Sequence, residues 1–213
     1  MDKTEMDELR VCIYDKLRKA ISKGRKKEAL ALLDEIDINR AAYRNVYLSW
    51  IDLLLTYIAE KLGEEAVYDT MRIFDGKMVR QTIAGAAGDI DAEDRLRKRA
   101  HIWTSLHGGS IDSIEEDEEK FILKFKCPSG GAIRTKETYG KTRGAYPWTY
   151  GKKGFPYYCI HCPVSFDIMS IEQMGFPAWI TLHEADGWCT QYLYKDPTNV
   201  PEEYYERVGM KKR

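Results

Sequence analysis

Cys159-Ile160-His161-Cys162-Pro163 concentrates more potential chemistry than any other five residues of the chain. Two cysteines spaced C-x-x-C bring both sulfurs to one side of a tight turn, where they can grip a metal. Pro163 suits the first position of a following helix, which leaves Cys162 at that helix's N-terminus. The helix dipole there favours a thiolate, so Cys162 is expected to ionise more easily than a free cysteine. His161 stands between the two cysteines, with an imidazole whose ordinary pKa, near ~6.5, suits proton transfer at neutral pH. The expectation is that His161 is catalytic while Cys159 and Cys162 hold the metal. An exposed turn histidine with no role is the alternative.

A third cysteine adds to the pattern. Phe121, Leu123, Phe125 and Cys127 share the apolar face of a strand whose other face carries Lys124 and Lys126. Cys127 therefore points inward at the strand's end. Pro128 stops the strand, and Ser129-Gly130-Gly131 is a turn that lets the backbone approach a ligand closely. His107, His161 or Cys189 could complete the set. Cys189 lies on a strand over 188–194 with two mixed faces, so its direction does not follow from the pattern.

Three readings of this cluster stand side by side. Cys127, Cys159, Cys162 and one histidine suit zinc, which is structural with four protein ligands and catalytic if water takes the fourth position. Cys127, Cys159, Cys162 and Cys189 suit an iron–sulfur cluster by count, although their spacing matches neither standard ferredoxin pattern. In the third reading Cys159 and Cys162 are reduced packing residues.

Residues 130–158 supply a candidate binding surface. They hold six glycines, six basic residues and one acid, Glu137, interleaved with seven aromatic side chains. A loop this long is usually functional or disordered, and its aromatic content argues against disorder. Arg134 or Arg143 can fork a carboxylate, and Trp148 and Tyr158 can cover a flat anionic molecule. Basic residues between aromatics also suit nucleic acid. The near-neutral chain and the lack of a nucleic-acid motif argue against that.

The elements that must position these residues divide at about residue 109. Leu9, Ile13, Leu17 and Ile21 recur at helical spacing up to Gly24, and Ala29, Leu32, Leu33 and Ile36 repeat the pattern. A third helix over 40–62 is apolar enough to dimerise but is more simply the central core helix. A fourth runs from Glu64 to Phe74, and Gly85-Ala86-Ala87-Gly88 is a flexible break. Asp91 is a plausible N-cap for a helix over 92–107. On that helix Leu96, Ala100, Ile102, Trp103 and Leu106 form one face, with His107 inside it and His101 opposite. His107 is thus a candidate fourth ligand or catalytic proton shuttle, or else a satisfied core histidine. Beyond 109 the period becomes that of strands, with a hairpin around 116–119, a short helix over 163–174 and a closing hairpin around 183–187.

The whole chain sets further bounds. It has 213 residues, 44% hydrophobic and 31% charged, with a formal charge of −1, so nothing pulls it towards DNA or a membrane. No apolar run approaches the ~20 residues that span a bilayer. The start, Met1 to Glu8, is acidic where a signal peptide would be basic and then apolar. The expected location is therefore cytoplasmic, where five cysteines do not form a disulfide framework. Cys12, beside an apolar stripe, reads as a packing residue.

Over roughly residues 40–195 the arrangement resembles the L-2-amino-thiazoline-4-carboxylate hydrolase-like proteins and, more loosely, small-molecule-binding domains of the vinyl-reductase type. Helices lead into a hairpin whose strand ends in Cys127-Pro128. A later segment, Tyr158 to Pro163, precedes a final strand with Asp186-Gly187-Trp188-Cys189. The first resemblance implies cysteine- or metal-dependent opening of a small C–N or C–S ring, and the second implies ligand sensing.

The expected fold is α+β. An N-terminal helical bundle (1–109) packs on a small, mainly antiparallel sheet within 110–213, sharing one core. The expected function is that of a metal-dependent, zinc-using hydrolase or lyase acting on a small carboxylate-bearing molecule. Its rival is a non-catalytic sensor or redox module with structural zinc or an iron–sulfur cluster.

Overall fold

The computed structural model describes residues 10–82, 91–136 and 138–212. Met1 to Glu8, the glycine-alanine break at 85–88 and Glu137 lie outside the described residues, as does the Leu106 side chain. The chain divides into two compact units, 1–48 and 49–213.

Helices dominate the first part: α1 (Ile13–Ser22), α2 (Lys26–Leu62), α3 (Glu64–Thr82) and α4 (Ala92–His101). Gly24 ends α1 in the left-handed region, at φ +67°. The two helices expected over 29–36 and 40–62 are one continuous helix, because no glycine or proline interrupts Lys26–Leu62. It is not a wholly buried core helix. Leu48, Leu55 and Ala59 are buried, while Tyr43, Val46, Trp50 and Tyr57 are exposed. Asp91 caps α4 by accepting from the Glu93 amide. A π-helical turn, Ile102–Leu106, extends α4 to His107. Among the described residues no helix is long and apolar enough to cross a membrane.

The second part is built on four antiparallel strands, so the fold is α+β. They are β1 (Ile111–Glu116), β2 (Lys120–Lys126), β3 (Ile180–His183) and β4 (Trp188–Tyr194), in the order β1-β2-β4-β3. Between β2 and β3 the chain forms α5 (Gly130–Arg134), a π-helical turn (Pro163–Ile168) and α6 (Met169–Met174). A last short helix, α7, covers Glu203–Glu206.

Register decides which side chains share a face. Cys189 on β4 is opposite Phe125 on β2 and His183 on β3, and Gln191 is opposite Leu123 and Thr181. Directly paired residues project to the same side. Phe125, His183, Thr181, Gln191 and Cys189 therefore stand together. Helix α4 packs over this face, with the Trp103 ring 4.3 Å from Phe125 and Arg99 Nε donating to Gln191 Oε1 at 2.9 Å.

The segment from 139 to 158 is ordered, and one residue of α3 fastens it. The Glu64 carboxylate accepts from the amides of Arg143 (2.6 Å) and Gly144 (3.0 Å) and from the hydroxyls of Tyr146 (2.8 Å) and Tyr157 (2.7 Å). Trp148 is buried, with its ring stacked on Tyr68 at 5.6 Å and Tyr146 at 4.3 Å.

Candidate active site

A cavity of about 630 Å³ lies between α2, α3, α4 and the inner face of the sheet. This is a typical size for a pocket that takes a drug-sized molecule. Cys127, Cys159, Cys162 and Cys189 all line it. The structure thus resolves the direction of Cys189, which is buried on the cavity side beside His183. Cys12, by contrast, is exposed and does not pack.

His107, His161, Arg134 and Tyr158 also line this cavity. Arg143 and Trp148 do not. Arg143 belongs to the Glu64 fastening, and the Trp148 stack is core packing. The Trp148 ring therefore serves packing, while the Arg143 guanidinium is largely exposed and lies outside this cavity. Three further residues of the cavity were not singled out from sequence: Arg99, His183 and Gln191. For Arg99 a signal existed, since it falls three residues after Leu96 and four before Trp103, on the apolar face of α4.

His161 and Cys162 form a hydrogen-bonded chain. His161 Nδ1 is 2.6 Å from the Tyr158 carbonyl oxygen, and its Nε2 is 3.5 Å from Cys162 Sγ. A carbonyl only accepts, so Nδ1 donates to it, and Nε2 of the neutral ring is left to accept from the Cys162 thiol. Thiol, base and a group that orients the base are the parts of an activated nucleophile. The tight turn places them: Tyr157–Ile160 is a 3₁₀ turn, and Cys162 caps the π-helical turn that begins with Pro163.

Burial dominates the thiols. It pushes Cys162 up, helped by Cys127 and opposed by Arg99 and Arg134. The easing expected from the helix N-terminus is outweighed, so Cys162 rests as a thiol and needs a base. Cys159 is likewise raised by burial, and Cys189 is pushed up to about 12. Burial, then the Arg134 cation, holds His183 well below the ordinary histidine range, so it is neutral at pH 7. Among the described residues its buried Nδ1 has no hydrogen-bond partner.

The buried Arg99 and the half-buried Arg134 differ. Arg134 donates to the Trp188 carbonyl at 2.6 Å and to Cys189 Sγ at 3.3 Å, and stands 4.0 Å from Cys159 Sγ. It tends the thiols. Arg99 sits among the rings of Phe166, Trp103 and Trp179, at 4.5, 5.0 and 5.6 Å from their centroids. Its terminal nitrogens make no hydrogen bond among the described residues, and burial brings its pKa down to about 10. Arg95 and Lys98 line the cavity too, and among the described residues no aspartate or glutamate does. A buried charge whose terminal nitrogens lack an acceptor is costly, so such an arrangement favours an anionic occupant. No protein-family model matches the chain, and no curated protein or solved structure matches it either.

The donor set is chemically suited to zinc or an iron–sulfur cluster. Gly130 adds a second hint, because a Cβ there would lie 2.9 Å from Cys159 Sγ and 3.9 Å from Cys127 Sγ. The missing side chain leaves room for these two sulfurs. Yet among the described residues no three His, Cys, Asp or Glu side chains converge as an ion would require. The Arg134 guanidinium reaches both Cys159 and Cys189 and takes up space around them.

Proposed function

We propose that the protein is a hydrolase or lyase that acts on a small carboxylate-bearing molecule through the Cys162 thiol. The observation that carries this reading is the Tyr158–His161–Cys162 chain in the same cavity as Arg99, whose terminal nitrogens make no hydrogen bond among the described residues. His161 Nε2 takes the thiol proton as sulfur attacks a trigonal carbon of a C–N or C–S bond. The carbon–sulfur bond to Cys162 forms, the old bond breaks, and the leaving nitrogen or sulfur receives that proton from His161. Water then releases the product from sulfur, giving one proton to His161, which returns it to Cys162. Arg99 holds the substrate carboxylate by parallel hydrogen bonds. The resemblance to the aminothiazoline-carboxylate hydrolase-like proteins supports the same reaction class.

Alkylation mapping tests this without a known substrate. At pH 7 iodoacetamide is expected to label the half-buried Cys162 ahead of the buried Cys127, Cys159 and Cys189, and His161→Ala is expected to slow that labelling roughly 10²-fold. Labelling of Cys162 no faster than Cys159 or Cys189, or indifference to His161→Ala, contradicts the assignment.

A second reading is a zinc or iron–sulfur centre on Cys127, Cys159, Cys162 and Cys189, with enzyme, sensor or redox roles. It is favoured by the meeting of these thiols in one cavity and by the room left at Gly130. Elemental analysis of protein purified without oxygen decides it. About one zinc per chain, or iron with sulfide and a brown colour, supports this reading, provided that Cys159→Ser removes the metal.

A further inference from the structure

Thiols and cations are only part of the cavity's lining, and the apolar part says more about the occupant. Besides the thiols and cations, α2 contributes Ile51, Leu54, Leu55 and Ile58, spaced i, i+3, i+4 and i+7, so that one stripe of the helix lines the space. Met71 and Phe74 of α3 continue it. These are not all core residues: Leu54 remains 49% exposed and Phe74 57% exposed. Two helices thus turn uncovered apolar surface towards the same space as Arg99, whose residue is only 8% exposed.

A carboxylate with two or three carbons satisfies the guanidinium but leaves most of about 630 Å³ and its apolar wall in contact with water. We infer that the ligand of this cavity is an amphipathic monocarboxylate, an alkyl or aryl acid whose carboxylate meets Arg99 and whose apolar body lies along Ile51, Leu54, Leu55 and Phe74. The inference deepens the enzyme reading by naming its substrate class, but the binding step does not need Cys162. Arg134 is already engaged by the thiols and the Trp188 carbonyl, Arg95 donates to the Ala178 carbonyl at 2.8 Å, and Lys98 is exposed to solvent, so one carboxylate is assigned to the buried Arg99. The apolar wall supplies affinity in proportion to the area it loses from water, and Arg99 selects the charged head.

The test uses the full chain carrying Cys162→Ser and isothermal titration with octanoate, 4-phenylbutyrate, octan-1-ol and acetate. Octanoate and 4-phenylbutyrate are expected to bind at least tenfold more tightly than either octan-1-ol or acetate. Arg99→Met is expected to abolish the preference of octanoate over octan-1-ol, and Arg99→Lys, which keeps the charge and loses the fork, to weaken it. Leu54→Ser is expected to weaken octanoate several-fold, with circular dichroism confirming that each variant folds. Acetate binding as tightly as octanoate, or no binding of either long acid at millimolar concentration, overturns the inference. The two readings fail separately. Absent binding with selective labelling of Cys162 defeats only the ligand class, whereas tight binding with an inert Cys162 defeats only the catalysis.

Discussion

Glu64 and Arg99 are both buried charges, and the protein treats them in opposite ways. The Glu64 carboxylate, 6% exposed, receives four hydrogen bonds from the segment it fastens. Burial acts to raise its pKa, but the Arg143 amide, the Tyr157 and Tyr146 hydroxyls and the Gly144 amide together pull it down to about 2. Arg99 is buried to a similar degree, yet among the described residues only its Nε has a hydrogen-bond acceptor, and burial outweighs the neighbouring cysteines and lowers its pKa. A buried charge whose partners all come from its own chain is structural, because folding itself satisfies it. One left incomplete beside a cavity is kept for something that arrives later. The contrast separates the anchoring region, 139–158, from the binding region around α4 and β4.

The largest expected effect belongs to the binding region and is kinetic. Cys162→Ser is predicted to lower turnover on a substrate by on the order of 10⁴-fold or more while leaving the fold intact. Single-turnover kinetics with circular dichroism on the same preparation is the check. A serine variant with undiminished rate removes the nucleophile from the account.

The next effect belongs to the anchor and concerns stability. A carboxyl shifted from 4.5 to about 2 corresponds to about 3 kcal/mol, so Glu64→Gln is expected to lose that order of stability in urea at pH 7. The folded value lies below the unfolded one. The contribution is therefore full above about pH 4.5 and is lost as pH falls towards 2. The variant and the parent are expected to converge in stability across that window; a constant gap at all pH values would mean that the carboxylate charge is not what fastens the segment.

Arg99→Met should do the reverse. Replacing an incompletely paired buried charge by an apolar side chain is often neutral or stabilising, so urea midpoints should hold or rise while anion binding falls at least tenfold. A loss of stability as large as that of Glu64→Gln would make Arg99 structural and erase the contrast. The smallest effect is expected at the surface, where Arg72 and Glu172 pair bidentately at 2.8 and 2.9 Å. Arg72→Met should cost no more than about 1 kcal/mol by the same urea titration.

Much of the site was legible because local rules wrote it. The C-x-H-C-P run, the inward Cys127 and the strand period all follow from spacing and alternation within a few residues. Cys189 was not legible, because β4 lies between β2 and β3 and is buried on both faces, which removes the alternation that shows direction. His183 looked like a turn residue, and only register puts it beside Cys189. Arg99 was concealed by the habit of assigning charge to the solvated face of a helix, although its spacing placed it with Leu96 and Trp103. The aromatic run at 139–158 misled for a different reason. Composition alone does not distinguish a ring that stacks on a ligand from one, like Trp148, that stacks on Tyr68 and Tyr146.

The most direct measurement compares iodoacetate with iodoacetamide. Each forms a carbon–sulfur bond to a thiol and releases iodide, and they differ mainly in carrying a carboxylate or an amide. Exposed Cys12 serves as an internal reference in the same molecule. If Arg99 delivers a carboxylate to the Cys162–His161 pair, peptide mapping will show iodoacetate favoured over iodoacetamide at Cys162 by at least tenfold relative to Cys12, and Arg99→Met will abolish that preference. An equal ratio at the two cysteines, or a preference that survives Arg99→Met, would contradict the account.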